Sequence, residues 1–142
     1  MTLNVIVIDD SKMQRLLTCK LVNEHQNLNC VGAFGNPKEG LKAVNDLRPD
    51  VLILDVEMPE LDGFGVLEYL EFDCQVILYS TRATFAFNAF NYEQVKDFVT
   101  KPLGESRFEK SVDKILNNYL MESSNTNNLG TYTFSERLSM AS

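Results

Sequence analysis

Side chains that can do acid-base, metal or phosphoryl chemistry follow four apolar runs of this sequence, at the point where each run ends. They are the pair Asp9 and Asp10, then Asp55, the pair Ser80 and Thr81, and Lys101. Short, wholly apolar runs are typical of strands buried on both faces. Because the carboxyl ends of parallel strands share one edge of a sheet, we expect these side chains to converge on one pocket.

Three carboxylates and one ammonium group in one pocket predict a site for Mg²⁺ and a phosphoryl group. Carboxylate oxygens are the hard ligands that Mg²⁺ prefers, and Lys101 offers a point charge to a phosphoryl oxygen. A carboxylate nucleophile can form an aspartyl-phosphate, with the metal aligning the reacting groups.

Helix or turn capping is the alternative interpretation for a single strand-end aspartate such as Asp55. It does not account for the pair of Asp9 and Asp10, because Ser11 can cap the following helix by itself. It does not account for Lys101 either, since an ammonium group has no acceptor to offer to a helix N-terminus.

Five predicted strands alternate with five predicted helices. The additional strand is the weaker run Cys30–Phe34. This alternation predicts an α/β fold in which right-handed crossovers cover both faces of a parallel sheet with helices.

Caps and hydrophobic spacing predict the helix bounds. Ser11 begins a helix to about Glu24, with Met13, Leu17 and Leu21 on its apolar face, and Asn36 before Pro37 begins the second helix. The other helices are predicted over 63–71, 84–92 and 104–121. In the fourth helix Phe85, Phe87 and Phe90 are expected in the core, or, if they are exposed, as a patch for a partner.

Length, charge and cysteine content exclude several classes of protein. A chain of 142 residues and 16.1 kDa is long enough for one well-packed domain. Its net charge of −7 leaves no basic stripe, so direct nucleic-acid binding is not expected. No apolar run suggests a membrane span or a signal peptide. Three scattered cysteines, Cys19, Cys30 and Cys74, predict reduced thiols in a cytoplasmic protein.

Composition changes after Met121. Residues 123–128 are serine, threonine and asparagine and predict a polar linker. The expected organisation is a globular domain over 1–122 and a linker or tail over 123–142, which could begin an output domain.

Four segments resemble the receiver domain of two-component response regulators. They are VIVIDDS at 5–11, LILDVEMPELDGF at 52–64, the Ser80-Thr81 strand end, and DFVTKPL at 97–103. The resemblance covers roughly residues 3 to 121 and implies a flavodoxin-like doubly wound sheet of strand order 2-1-3-4-5. The run AFNAF at 86–90 resembles the corresponding segment of receivers attached to LytTR-type DNA-binding domains.

The resemblance implies a role for each matching residue at the strand ends. Asp55 would accept a phosphoryl group from a histidine kinase or phosphotransfer protein. Asp9, Asp10, Asp55 and the backbone carbonyl of Glu57 would hold Mg²⁺. Lys101 would pair with the phosphoryl group, and the peptide bond between Lys101 and Pro102 would be cis.

Further matches concern the readout of phosphorylation and its lifetime. Ser80 would be the switch hydroxyl and Phe98 the aromatic side chain whose rotamer follows it. Glu57 and Arg82 match positions that tune autodephosphorylation. Thr81 stands where the family usually has alanine, so slower access to the phosphoryl group is expected.

The resulting hypothesis is a phosphoacceptor that acts in a phosphorelay and is not an enzyme for external substrates. Phosphorylation would change the face formed by the fourth helix, the fifth strand and the fifth helix, through which a homodimer, a downstream protein or a C-terminal output domain would be engaged. Two alternatives are a Mg²⁺-dependent phosphatase with an aspartyl nucleophile and a binding module that works without phosphorylation.

Overall fold

A computed structural model of the protein describes the backbone of residues 1–129 and the side chains of residues 1–122. Five parallel strands form one sheet in the order β2-β1-β3-β4-β5, which confirms the predicted flavodoxin-like topology. The strands are β1 Leu3–Ile8, β2 Leu28–Phe34, β3 Val51–Asp55, β4 Gln75–Ser80 and β5 Val95–Thr100.

Helices cover both faces of the sheet. They are α1 Lys12–Glu24, α2 Pro37–Leu47, α3 Gly63–Glu68, α4 Ala86–Ala89 and α5 Glu105–Leu129, with a 3-10 turn at Ala83–Phe85. Buried side chains of α1 and α5 pack on one face in a first core cluster, and those of α2, α3 and α4 pack on the other face in a second. Every residue of β3 and β4 is buried, as their apolar runs predict.

Polar caps start the first two helices as the sequence predicts. Ser11 accepts a hydrogen bond from the backbone N–H of Gln14, and Asn36 accepts from those of Lys38 and Glu39. Within the described residues, no helix is both apolar and long enough to cross a bilayer.

The predicted apolar face of α1 is wrong for Met13 and Leu17, whereas Leu21 packs against the first core cluster as predicted. Met13 and Leu17 are 72% and 49% exposed, while Thr18 and Val22 are buried. The guanidinium of Arg15 donates a 2.7 Å hydrogen bond to the backbone carbonyl of Asp9, which turns Arg15 toward the sheet. Thr18, Cys19 and Val22 lie on the same side of the helix, because residues three, four and seven positions apart share one helix face.

The aromatic segment is shorter and more exposed than expected. α4 has four residues, and Phe87 and Phe90 are 84% and 86% exposed, so the expectation that they lie in the core is wrong. Phe85 is partly buried and Ala89 is buried against the second core cluster. These two residues are four apart and form the inward side, which leaves Phe87 and Phe90 on the outer side.

α5 continues to Leu129, eight residues beyond its predicted end at Met121. No glycine or proline occurs between Glu105 and Leu129, so nothing in the backbone chemistry stops the helix within the stretch predicted as a linker. The division of the chain after residue 122 stays a prediction, and the predicted tail from residue 130 onward lies outside the described residues.

Candidate functional site

Four strand ends meet at one edge of the sheet. Asp9 follows β1, Asp55 ends β3, Ser80 ends β4 and Lys101 follows β5. The register of the parallel strands sets this arrangement, since Asp55 pairs with Tyr79 and Ser80 pairs with Thr100 across adjacent strands. The side chains of Asp9, Asp55 and Ser80 are buried.

The ammonium group of Lys101 lies between two buried carboxylates. Its Nζ is 3.3 Å from Asp9 Oδ2 and 3.1 Å from Asp55 Oδ1, and the side chain is only 10% exposed. Two carboxylates this close repel each other, and a buried ammonium group between them offsets part of that repulsion. The negative charge that remains in the pocket therefore favours the binding of a further positively charged group.

A third carboxylate completes an acidic cluster. Asp10 is exposed, and carboxylate oxygens of Asp9, Asp10 and Asp55 lie within 4.8 Å of one another. Three hard oxygen donors with access to solvent are a suitable set for Mg²⁺, which keeps several waters beside a few protein ligands. The residues present thus fit the metal that the sequence predicts.

The side chain of Asp9 is held in place by two hydrogen bonds. The backbone N–H of Ser11 donates to Asp9 Oδ1 at 2.9 Å, and the hydroxyl of Tyr79 donates to Oδ2. The ring of Tyr79 also lies 4.7 Å from Lys101 Nζ, in the geometry of a cation–π contact. Burial raises the pKa of the Tyr79 hydroxyl far above its usual value, so it remains a donor.

Sequence reasoning missed Tyr79, which was treated as part of an apolar strand. A signal was available, because a tyrosine in a strand buried on both faces needs a partner for its hydroxyl. Tyr79 directly precedes Ser80 on the strand next to Asp55, and its partner is found among the strand-end carboxylates.

The surroundings of Asp55 disfavour its negative charge. Burial and then the charge of Asp9 raise its pKa from 3.8 to about 7, and Lys101 only partly reverses this. The backbone N–H of Glu57, in the loop that follows the strand, donates to Asp55 Oδ1 at 3.3 Å. A divalent cation at the acidic cluster would favour the ionised form that a nucleophile requires.

Glu57 holds the hydroxyls at the end of β4. Ser80 and Thr81 each donate to Glu57 Oε1 at 3.0 Å, and these hydrogen bonds lower the pKa of Glu57. Arg82 Nε lies 3.6 Å from Glu57 Oε2, and the Arg82 backbone N–H donates to Ser80 Oγ at 3.1 Å. The Ser80 hydroxyl therefore points to Glu57 and is committed to a partner other than Asp55.

The loop after β3 packs closely on the strand end. Gly63 N donates to the carbonyl of Val56 at 2.8 Å, and a Cβ at Gly63 would lie 2.5 Å from the carbonyl oxygen of Asp55. Only glycine fits this approach, which holds the loop against the site. Elsewhere, the Lys101-Pro102 peptide bond is cis, and Phe98 is partly buried against the second core cluster.

Comparisons with known proteins agree with this geometry. The sequence model of the response regulator receiver domain matches residues 5–113. The chain is 31% identical over 116 residues to an uncharacterized response regulatory protein of Vibrio cholerae, and 30% identical over 115 residues to the transcriptional regulatory protein BtsR of Escherichia coli. Each alignment covers 80% of this chain and 48% of the relative, so the chain spans about half the length of these curated relatives.

A solved structure gives the same result for the fold. The receiver domain of AraT, a response regulator from Geobacillus stearothermophilus, superposes with a TM-score of 0.78 at 25% sequence identity. The superposition covers 87% of this chain and 99% of that one.

Proposed function

Because the chain belongs to the receiver-domain family of two-component response regulators, we propose that Asp55 is the residue of this protein that accepts the phosphoryl group. The observation that carries the proposal is the contact of Lys101 Nζ with Asp55 Oδ1 at 3.1 Å inside a cluster of three carboxylates. This arrangement brings three carboxylates and one ammonium group around one point, which supports a nucleophile, a counter-charge and metal ligands there.

The proposed reaction transfers a phosphoryl group from a phosphohistidine of a kinase or phosphotransfer protein. A carboxylate oxygen of Asp55 forms the new bond to phosphorus, the bond from phosphorus to the histidine nitrogen breaks, and the released imidazole takes up a proton. Lys101 pairs with the transferred group and offsets its charge. Mg²⁺, held by Asp9, Asp10, Asp55 and the Glu57 carbonyl, would neutralise charge on the phosphoryl oxygens.

The readout begins at the end of β4. After transfer, the phosphoryl oxygens are stronger acceptors for the Ser80 hydroxyl than the Glu57 carboxylate, because Ser80 and Thr81 share one oxygen of Glu57. Ser80 then moves toward Asp55, and Phe98 follows on the neighbouring strand. Glu57, Thr81 and Arg82 line the solvent side of the site and set how readily water reaches the acyl phosphate.

The partners of this switch are a histidine kinase or phosphotransfer protein on the input side and a protein or output domain on the other. The name of the relative BtsR, a transcriptional regulatory protein, supports an output in transcription, and a LytTR-type output domain after residue 122 is the specific form we propose. The exposed Phe87 of α4 and Phe90 directly after it support a contact surface, for a homodimer or for that output partner. The proposed location of the protein in this role is the cytoplasm.

The test is the site of a covalent adduct. The protein is incubated with acetyl phosphate and Mg²⁺, and its intact mass is compared with those of Asp55→Asn and Asp113→Asn, whose substituted side chain is exposed on α5. Wild type and Asp113→Asn should gain one phosphoryl group, Asp55→Asn none, and chelation of the metal should prevent the gain.

Other outcomes separate the alternatives. An adduct of equal yield on Asp55→Asn would sink the proposal, and so would a folded wild type that gains none. Steady release of phosphate from a phosphate monoester such as p-nitrophenyl phosphate would favour the phosphatase alternative. A binding module independent of phosphorylation predicts no adduct on any of the three proteins.

A further inference from the structure

Two of the three cysteines face each other across α1 and β2. Cys30 Sγ lies 3.8 Å from Cys19 Sγ, and neither residue is fully buried. Cys30 pairs in register with Val5, whereas Asp9 lies beyond the far end of β1, so the thiol pair is separate from the strand-end site. Sulfur atoms this close need only a small change of side-chain torsion to reach bonding distance.

The register of β2 places Cys30 toward α1, since Cys30 pairs with Val5 of the first core cluster, and β2 becomes irregular directly afterwards. The register between β1 and β2 shifts after Val5, which leaves Val31 without a partner on β1. Such a bulge changes the face on which the following residues lie. Cys30 accordingly packs against the first core cluster, with α1, while Phe34 packs against the second. Regular alternation would put both side chains on one face.

Hydrogen bonds then fix the two cysteines relative to each other. The backbone N–H of Cys30 donates to Asn23 Oδ1 of α1 at 3.3 Å, and the Cys30 thiol lies 3.4 Å from the carbonyl oxygen of Gly32. One turn before Cys19, the bond from Arg15 to the carbonyl of Asp9 holds α1 to the end of β1. The thiols are therefore held together by both elements that carry them.

We propose that Cys19 and Cys30 are an oxidation site, at which a two-electron oxidant of thiols such as hydrogen peroxide forms one intramolecular disulfide bond between α1 and β2. Peroxide oxidises one thiol to a sulfenic acid and is itself reduced to water. The second thiol then forms the S–S bond, and the sulfenic oxygen leaves as a second water molecule. This site does not depend on the proposed phosphoryl chemistry of Asp55.

The reduced pair is the resting state. Burial raises the pKa of the Cys19 thiol to about 11, the neighbouring Cys30 adds to this shift, and Arg15 partly opposes it. The thiolate is the form that attacks peroxide, so this raised pKa slows oxidation near neutral pH and the reaction should become faster as pH rises. Cys74, by contrast, is buried in the second core cluster and has a pKa raised to about 12 by burial. It serves as an internal reference.

The experiment counts free thiols after oxidation. The folded chain is treated with hydrogen peroxide in mildly alkaline buffer, then denatured, alkylated with iodoacetamide and weighed intact. Without peroxide all three cysteines should be alkylated, and after peroxide only Cys74. Trypsin cuts after Lys20, so the disulfide should join peptide Leu16–Lys20 to peptide Leu21–Lys38.

Three variants and a second measurement complete the test. Cys74→Ser should still form the cross-linked peptide, and neither Cys19→Ser nor Cys30→Ser should form it. Oxidation should raise the thermal unfolding midpoint of the wild type by roughly 5 °C, since the bond constrains the unfolded chain. Dithiothreitol should reverse the increase. The proposal is overturned if all three cysteines stay free under conditions that oxidise dithiothreitol. Equal loss of the three, or cross-links between chains, overturns it as well.

Discussion

Asp55 lies in a pocket that opposes its own ionisation. The residue is 2% exposed and shares the site with the buried Asp9, so burial and like charge together raise its pKa to about 7. The Lys101 ammonium group, 3.1 Å away, does not fully compensate. The ionised Asp55 therefore lowers the stability of the folded protein, and its charge is useful only once a cation and a phosphoryl group bind.

Asp55→Asn should stabilise the metal-free protein at neutral and alkaline pH. With a folded pKa of about 7 against 3.8 unfolded, the folded state binds more protons between these values, so wild-type stability falls as pH rises through them. Asparagine removes this loss, and the gain should grow from near zero at about pH 4 to roughly 2–4 kcal/mol at about pH 8. Urea unfolding with a chelator, followed by circular dichroism across this range, measures it.

Asp113→Asn, with its side chain exposed on α5, controls for the loss of a carboxyl group and should show no comparable trend. If Asp55→Asn is less stable than the wild type at about pH 8, or if its gain is the same at every pH, the Asp55 carboxylate is not the group that opposes folding.

Most residues of this site can be predicted from sequence, because each follows an apolar strand and parallel strands end at one edge. Asp9, Asp55 and Lys101 needed no more than that to be placed together. The bond from Ser80 to Glu57 could not be predicted, because it depends on side-chain torsions in a loop. The role of Tyr79 was not predicted, because Tyr79 belongs to an apolar run and was counted only as a strand residue.

At the scale of elements, β5 and α5 are joined by one buried carboxylate. Asp97, 7% exposed, receives two hydrogen bonds from Arg107, at 2.8 and 2.9 Å, one from Ser111 at 2.5 Å and one from Lys114 at 2.9 Å. Burial alone would raise its pKa, but these donors outweigh burial and lower it to about 2. Asp97 directly precedes Phe98, so the network fixes the backbone beside the proposed switch aromatic.

Asp97→Asn should destabilise the protein at neutral pH by roughly 2–4 kcal/mol, because it leaves the Arg107 charge without its partner. The effect of this carboxylate on the pH dependence of stability has the opposite sign to that of Asp55. A folded pKa below the unfolded value gives stability that is present above about pH 4 and lost as pH falls toward 2. Urea unfolding at neutral pH measures the loss.

Asp46→Asn is the matched control, since Asp46 pairs with Lys42 on the exposed surface of α2 at 2.6 Å. An exposed pair contributes little, so this variant should unfold close to the wild type. Equal effects of the two substitutions would mean that the Asp97 network adds nothing beyond a surface ion pair.

Helix faces were predicted less well than strands. A strand buried on both faces needs no choice of side, whereas α1 has apolar residues on more than one side, and the side that packs carries Thr18 and Val22. In the short α4 the aromatic content suggested core, yet there is room against the sheet only for Phe85 and Ala89. The end of α5 was misplaced because polar composition alone does not stop a helix that lacks glycine and proline.

At the scale of the whole molecule, two groups of exposed apolar side chains lie far apart in the chain, among others on the described surface. Phe87 and Phe90 project from α4, while Met13, Leu16 and Leu17 project from α1. The α4 pair lies next to β5, which carries Phe98, so a change at Phe98 can reach it through contiguous packing. The helix that carries the other group, α1, packs instead against β2 and β1.

Self-association that depends on phosphorylation should therefore require α4 and not α1. Replacing both Phe87 and Phe90 with serine should leave the unfolding free energy within about 0.5 kcal/mol, because both rings are already in water. The same substitution should weaken the dimer of the phosphorylated protein by roughly tenfold or more, since exposed aromatic rings are the side chains that most often dominate interfaces. Sedimentation of the acetyl-phosphate-treated chain over a range of concentrations measures the dissociation constant of the dimer, called the dimer constant below. Met13→Ser with Leu17→Ser removes exposed apolar side chains from α1 instead and should not change the dimer constant. A dimer constant unaffected by the α4 substitution, or a phosphorylated wild type that remains monomeric throughout, would place the readout of Asp55 on another surface.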